Sequence, residues 1–158
     1  MHNRKGFDEK LADMLARPLP QGLVHGLIMF DIDHFKRVND THGHVMGDRV
    51  LQAVGEVLKS CLPTASPTSV ARYGGEEFAM LIPESAFNEC LRLAELVRTR
   101  TKALKIRDRR TQEVVLTITL SGGLAMLQQG EDAQALTMRA DRALYQSKQD
   151  GRDRITCA

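Results

Sequence analysis

Two strand-like runs, Val70 to Tyr73 and Phe78 to Ile82, flank the pair Gly74-Gly75. Such a pair signals a tight hairpin, because glycine accepts the positive φ that two-residue turns demand. The chain must therefore build a sheet, and other runs supply its further strands. Gly26-Leu27-Ile28-Met29-Phe30 is continuously apolar, of strand length, and ends at Asp31. Val114 to Leu120 is rich in β-branched residues, and Leu124 to Leu127 continues or pairs with it beyond Gly122-Gly123. Arg154-Ile155-Thr156 is a short closing strand.

Helical segments alternate with these strands. Phe7 to Ala16 sets Phe7, Leu11, Met14 and Leu15 on one side and stops at Pro18 and Pro20. Phe35 to Thr41 is a brief helix before Gly43. From Met46 to Leu62, Val50, Leu51, Val54, Val57 and Leu58 recur at helical spacing. Ala86 to Ala103 turns Phe87, Leu91, Ala94 and Val97 inward, and Asp132 to Gln149 forms another long helix. This order predicts one sheet with helices packed on it, an α+β sandwich.

Composition narrows the function classes. A length of 158 residues fits a single domain, residues 1 to 158. Lys and Arg total 22 against 20 Asp and Glu, an excess of +2 and too small for a dedicated nucleic-acid binder. The chain is 42% hydrophobic, too apolar for a disordered tail. Cys61, Cys90 and Cys157 are far apart and odd in number, which reads as reduced thiols of a cytoplasmic protein. No apolar run approaches a bilayer span and the first residues lack a signal-peptide core, so a soluble fragment without membrane contact is expected.

Four polar clusters carry candidate chemistry, each beside a plainer reading. Asp31-Ile32-Asp33-His34-Phe35-Lys36 places carboxylates where a buried strand meets a helix start. Acidic strand ends are usually only solvated, but hard oxygens beside free backbone N–H groups are the parts of a metal-phosphate site. Glu76-Glu77 follows the glycine pair, and only one of two adjacent strand residues can face a given side. Asn39, Asp40, His42, His44 and Asp48 lead into the long helix, where helix capping competes with guanine recognition. A carboxylate such as Asp48 accepts from the N1–H and N2–H donors of guanine, while the Asn39 amide donates to O6. Lys148 and Arg152 end the last long helix, as dipole complements or as phosphate ligands. His42 and His44 lack partners at metal spacing. The basic run Arg98, Arg100, Lys102, Lys105, Arg107, Arg109 and Arg110 has few aromatic neighbours and reads as a solvated helix end and hairpin.

In order and spacing these clusters resemble the GGDEF-domain diguanylate cyclases from Asn3-Arg4 to about Ile155. Arg72-Tyr73-Gly74-Gly75-Glu76-Glu77-Phe78 is the Glu form of the signature. Asp31 to Lys36 with Asn39-Asp40, Gly43-His44 and Gly47-Asp48 follows the family's first motif. Ala140-Asp141-Arg142-Ala143-Leu144-Tyr145, Lys148 and Gly151-Arg152 follow its last. The resemblance implies a palm-like fold, related to nucleotidyl cyclases, with a mostly antiparallel central sheet flanked by helices. It also implies condensation of two GTP into cyclic di-GMP with release of two pyrophosphates.

By the same resemblance, Asp31, the Ile32 carbonyl and Glu76 hold two Mg²⁺ per GTP, with Mn²⁺ as an alternative and Glu77 contributing. Glu76 also serves as base. Asn39 and Asp48 read guanine beside His44, while Lys148, Arg152 and the backbone N–H groups around Phe35 and Lys36 hold the β- and γ-phosphates. The active species is a two-fold homodimer, controlled by an upstream sensory domain outside this chain.

Three departures stand out. The usual Arg-x-x-Asp product-binding motif is replaced by Ala65-Ser66-Pro67-Thr68, which implies weak or absent product inhibition, with that primary inhibitory site lost. Gly122 stands where isoleucine is usual, which predicts a looser strand, and Asp153 stands where asparagine is usual. The competing reading is a catalytically silent relative that binds GTP or a protein partner. Silent versions damage the signature or the first aspartate, and both are intact here. An ATP-accepting cyclase is disfavoured by Asp48.

Overall fold

The computed structural model describes all residues, 1–158. Its first strand explains the rest. In β1 (Val24–Ile32) every residue from His25 onward is buried, so both faces must be covered and the strand must be central. It pairs antiparallel with β3 (Glu77–Ser85) and with β6 (Leu120–Met126). β2 (Ser69–Arg72) lies outside β3, and β7 (Ile155–Cys157) joins β6 in parallel, giving the order β2-β3-β1-β6-β7. The sheet is mixed and mostly antiparallel.

Alternation along β1 sorts its side chains into two cores. Ile28, Phe30 and Ile32 pack with α3 (His44–Ser60) and α4 (Phe87–Lys102), through Val50, Val54, Leu58, Leu93 and Val97. Leu27 and Met29 pack with α1 (Arg4–Leu15) and α5 (Ala133–Gln149), through Phe7, Leu11, Met14, Leu136, Ala140 and Leu144. The short α2 (Phe35–His42) bridges β1 and α3. No helix is long and apolar enough to cross a membrane. All three cysteines are free.

Several local expectations change. The run from Val114 does not remain one strand to Leu120. β5 (Val114–Leu116) pairs with β4 (Ile106–Arg107) in a separate ribbon, a hairpin at the end of the basic run, and the main sheet resumes only at Leu120. Val114 and Val115 are both exposed, so β-propensity there reflects pairing without burial. On α4 the inward stripe is Cys90, Leu93, Ala94 and Val97, while Phe87 at the first turn is 44% exposed. The hairpin turn is wider than a two-residue loop. Tyr73 and Gly74 both donate to the Glu77 carbonyl, and neither Gly74 nor Gly75 has positive φ. A Cβ on Gly74 would lie 2.8 Å from Glu77 Oε2, the mobile end of a side chain that can move aside.

The glycine pair of β6 sets how closely α5 approaches. A Cβ on Gly123 would collide with the Ala140 carbonyl and the Leu144 nitrogen, both helix backbone. At Gly122 the space is already filled by Ile155 and Phe30, so the strand is packed there rather than loosened. Gly123→Ala should therefore destabilise the fold by about 2–4 kcal/mol in urea titrations, because helix backbone cannot yield. Gly122→Ala, whose closest contact is the mobile end of Ile155, should cost less than about 1 kcal/mol.

Candidate active site

Asp31 lies next to the end of β1 and is 5% exposed. Its cross-strand neighbour on β3 is Glu77, and Ile32 N–H donates to the Glu76 carbonyl at 3.2 Å, sewing the signature turn to β1. From the last turn of α5, Lys148 Nζ donates to Asp31 Oδ2 at 2.8 Å. Burial dominates nonetheless. It pushes the Asp31 carboxyl from 3.8 up to about 6; Lys148 pulls the other way, and Glu76 and Glu77 add repulsion.

Two adjoining recesses open at this point. The first, of 160 Å³, is lined by Asp31, Ile32, Glu76, Lys148 and Arg152 and by Phe35 and Lys36 at the start of α2. His34 precedes that helix in a left-handed conformation (φ 56°) and gives no side-chain cap. The backbone N–H groups of the first turn are thus left without a side-chain acceptor, as at anion-binding helix starts. The second recess, of 320 Å³, contains Asn39, His44 and Asp48, together with Arg72 and Gly75. Phe35, Lys36 and Glu76 line both, so the two form one cleft.

The capping reading of Asn39 and Asp48 does not describe the structure. Asn39 lies within α2 and Asp48 within α3, whose N-cap is Gly43. A Cβ at Gly47 would collide with Asn39 Oδ1, so glycine on α3 is what lets the Asn39 amide lie in the cleft wall. Glu77 lines neither recess. Its neighbours are Asp141 and Lys148 of α5, and burial raises its carboxyl, with Asp141 adding to the effect.

Sequence reasoning missed two supports. Arg72 donates through Nε to the Gly74 carbonyl (3.3 Å) and through Nη2 to the Gly75 carbonyl (2.8 Å), holding the turn that carries Glu76. Asp33, buried, accepts from Thr119 Oγ1 and Ser121 Oγ at 2.7 Å each and from Asp153 N–H at 3.1 Å. It thereby ties β1 to the loop that presents Arg152. The signal for Arg72 was its place before the glycine pair, whereas Asp33 gave none beyond an Asp-x-Asp spacing.

Asp31, Glu76 and the Ile32 carbonyl are hard oxygen donors suited to Mg²⁺ or Mn²⁺ rather than to softer metals. No three His, Cys, Asp or Glu side chains gather closely enough to hold one ion between them. The fit lies in charge: Asp31 is buried with a single lysine and stands against two further carboxylates.

A sequence model of the family described as "Diguanylate cyclase, GGDEF domain" matches residues 1–154. Diguanylate cyclase VdcA of Vibrio cholerae is 36% identical over 155 residues, covering 98% of this chain and 44% of that protein. This chain belongs to the GGDEF-domain diguanylate cyclase family. Diguanylate cyclase DgcP of Pseudomonas aeruginosa is 37% identical over 156 residues, 99% of the chain and 22% of that protein. The chain thus spans less than half the length of these curated relatives. The crystal structure of the DgcB GGDEF domain from Caulobacter crescentus, in complex with c-di-GMP, matches with a TM-score of 0.91 at 40% identity. That match covers 98% of this chain and 90% of the other. The active GGEEF domain of a Vibrio cholerae diguanylate cyclase matches with a TM-score of 0.84 at 30% identity, covering 99% and 96%. The α+β architecture with a mixed central sheet is therefore the GGDEF palm-like fold.

The electrostatics of this GGDEF domain generate a test. A carboxyl whose folded value lies above its unfolded one favours folding at low pH and loses that contribution as pH rises through the folded value. Wild-type stability should fall between about pH 4 and pH 6 from this group. Asp31→Asn should lack that fall and be more stable at pH 7 by about 1–2 kcal/mol, allowing for residual solvent screening. Urea denaturation at pH 4 and pH 7 measures both.

Proposed function

We propose that this chain is a working diguanylate cyclase domain that condenses two GTP into cyclic di-GMP and releases two pyrophosphates. The observation that carries the reading is the continuity of the cleft. Its acidic recess adjoins a recess holding Asn39, His44 and Asp48, with Glu76 at the junction. Asp48 accepts from guanine N1–H and N2–H, Asn39 donates to O6, and His44 flanks the base. Lys148, Arg152 and the backbone N–H groups of Phe35 and Lys36 hold the β- and γ-phosphates.

Asp31, the Ile32 carbonyl and Glu76 hold two Mg²⁺, or Mn²⁺ in their place, with Glu77 as an auxiliary oxygen donor. When bound, these cations polarise phosphoryl oxygens and acidify the ribose 3′-hydroxyl. Glu76 is a ligand first and a proton acceptor second. The remaining task is orientation, since phosphoryl-type transfer depends on in-line geometry and charge neutralisation.

Each GTP must offer its hydroxyl to the α-phosphate of the other, so one domain holding one GTP cannot close the ring. The active species is a two-fold pair of copies, and segments beyond this chain control it by setting the pair's geometry. Product inhibition through the usual motif is absent. No arginine lies from Ser60 to Ala71, and at the motif's place Ser66 Oγ and Thr68 Oγ1 bond each other at 2.7 Å. The intact signature and Asp31 favour this reading over a silent domain.

Incubation with GTP and Mg²⁺ at several protein concentrations, followed by nucleotide chromatography, tests the reading. Cyclic di-GMP should form at a rate steeper than linear in protein, and low-micromolar product should leave the rate unchanged. Glu76→Gln should reduce turnover by about 100-fold or more with the fold intact, since a neutral amide is a poor ligand. Asp48→Ser should narrow the preference for GTP over ATP by about tenfold or more. Absence of product from the wild type at every concentration would leave the silent domain as the better account.

A further inference from the structure

We infer that Asp153, held by Arg98 and Lys102 of α4, is a positioning residue that fixes Arg152 for the terminal phosphates of the nucleotide. The inference rests on the cyclase reading and extends it to residues outside the cleft. It starts from the backbone. Gly151, Arg152 and Asp153 follow α5 with φ of 113°, 65° and 46°, three successive left-handed residues of which two carry side chains. L-residues avoid this region because Cβ crowds the carbonyl oxygen, so such a loop persists only where its surroundings over-determine it.

The fastenings of this loop are specific. Arg152 N–H donates to the Ser147 carbonyl at 2.9 Å, and its own carbonyl accepts from Arg154 Nε at 3.1 Å. Asp153 N–H donates to buried Asp33 at 3.1 Å. The Asp153 carboxylate then reaches across to α4, accepting from Arg98 Nη1 at 2.9 Å and from Lys102 Nζ at 2.6 Å. Arg98 and Asp153 are only 20% and 24% exposed, so their pair is better shielded than an ordinary surface bridge. Burial works to raise the Asp153 carboxyl, but the hydrogen bonds from Lys102 and Arg98 outweigh it and hold the group below its usual range.

Arg152 itself makes no salt bridge, yet it lines the acidic recess. With Asp153 fastened to α4 and to Asp33, which directly follows β1, the backbone that carries Arg152 is fixed between two regular elements before any phosphate arrives. Preorganisation of this kind lowers the ordering cost of binding. The basic end of α4, which the active site does not otherwise use, gains a role as the anchor of the phosphate loop.

The test compares two ligands. The first, 3′-deoxy-GTP, cannot be turned over because it lacks the attacking hydroxyl; the second is GMP, which lacks the terminal phosphates. Asp153→Asn should weaken 3′-deoxy-GTP binding about fivefold and leave GMP binding unchanged. Arg98→Gln with Lys102→Gln should do the same, and adding Asp153→Asn to that pair should cost nothing more. Unchanged 3′-deoxy-GTP affinity, or equal weakening of both ligands, overturns the inference. Trypsin provides a readout without nucleotide: cleavage after Arg152 should accelerate in the Arg98→Gln, Lys102→Gln protein, whose residue 153 is native, at unchanged melting temperature. An unaltered cleavage rate overturns the clasp itself, whereas a wild type that binds neither ligand overturns the cyclase reading.

Discussion

Asp31 is a carboxylate on the middle strand of a five-stranded sheet, covered on both sides and balanced by one lysine. A fold built for stability alone would place an apolar side chain there, because the attraction of a single ammonium does not repay the loss of water around a buried anion. The rest of the architecture follows from keeping this group in place. Alternation along β1 turns Ile28, Phe30 and Ile32 toward one layer of helices and Leu27, Met29 and Asp31 toward the other. The second layer is where α5 brings Lys148. Gly123 lets the α5 backbone lie directly on β6, and from the last turn of that helix Lys148 Nζ reaches Asp31 Oδ2 at 2.8 Å.

The cleft joins two independently built halves. One wall is the junction of α2 and α3, where Gly47 leaves space for Asn39 and Asp48 lies one residue further along. The other wall is the signature turn, fixed to β1 by the Ile32 to Glu76 backbone bond and closed by the Arg72 side chain on the Gly74 and Gly75 carbonyls. Glu76, with Phe35 and Lys36 of α2, lines both recesses. The cleft therefore offers amide and carboxylate groups at one end and a lysine, an arginine and further carboxylates at the other.

Local physics made much of this legible in the chain. The uninterrupted apolar run of β1 and the 3.6-residue recurrence of Val50, Leu51, Val54, Val57 and Leu58 both arise from burial, and burial writes itself into sequence directly. What failed depended on partners distant in the chain. Val114 to Leu120 has one composition but two fates, because only its end finds a place in the main sheet. A glycine pair signals left-handed φ in a two-residue turn, but the turn here is wider and neither Gly74 nor Gly75 adopts it. The offset on α4, where Phe87 lies outward and Cys90 inward, reflects packing against Gly26, whose missing side chain admits the Cys90 sulfur. Asp33 is one acid of an Asp-x-Asp spacing and Asp153 stands only as a departure from the usual asparagine, and their roles rest on bonds spanning 51 to 120 residues. No periodicity carries that information.

Lys148 and Arg152 are not equivalent, although the sequence pairs them. Lys148 is already committed to Asp31, and its charge is spent on a buried anion. Arg152 is uncommitted and held by its backbone. Under the cyclase reading this asymmetry links two binding events. Cations held by Asp31 would supply the charge that Lys148 now supplies, and Lys148 would then be free to pair with phosphate, so that either ligand would favour the other. Arg152 has no such partner to give up, and it sits in a left-handed loop where Lys148 sits on a regular helix. On that reading the helix would deliver a lysine that changes partners, and the loop an arginine whose backbone is already fastened.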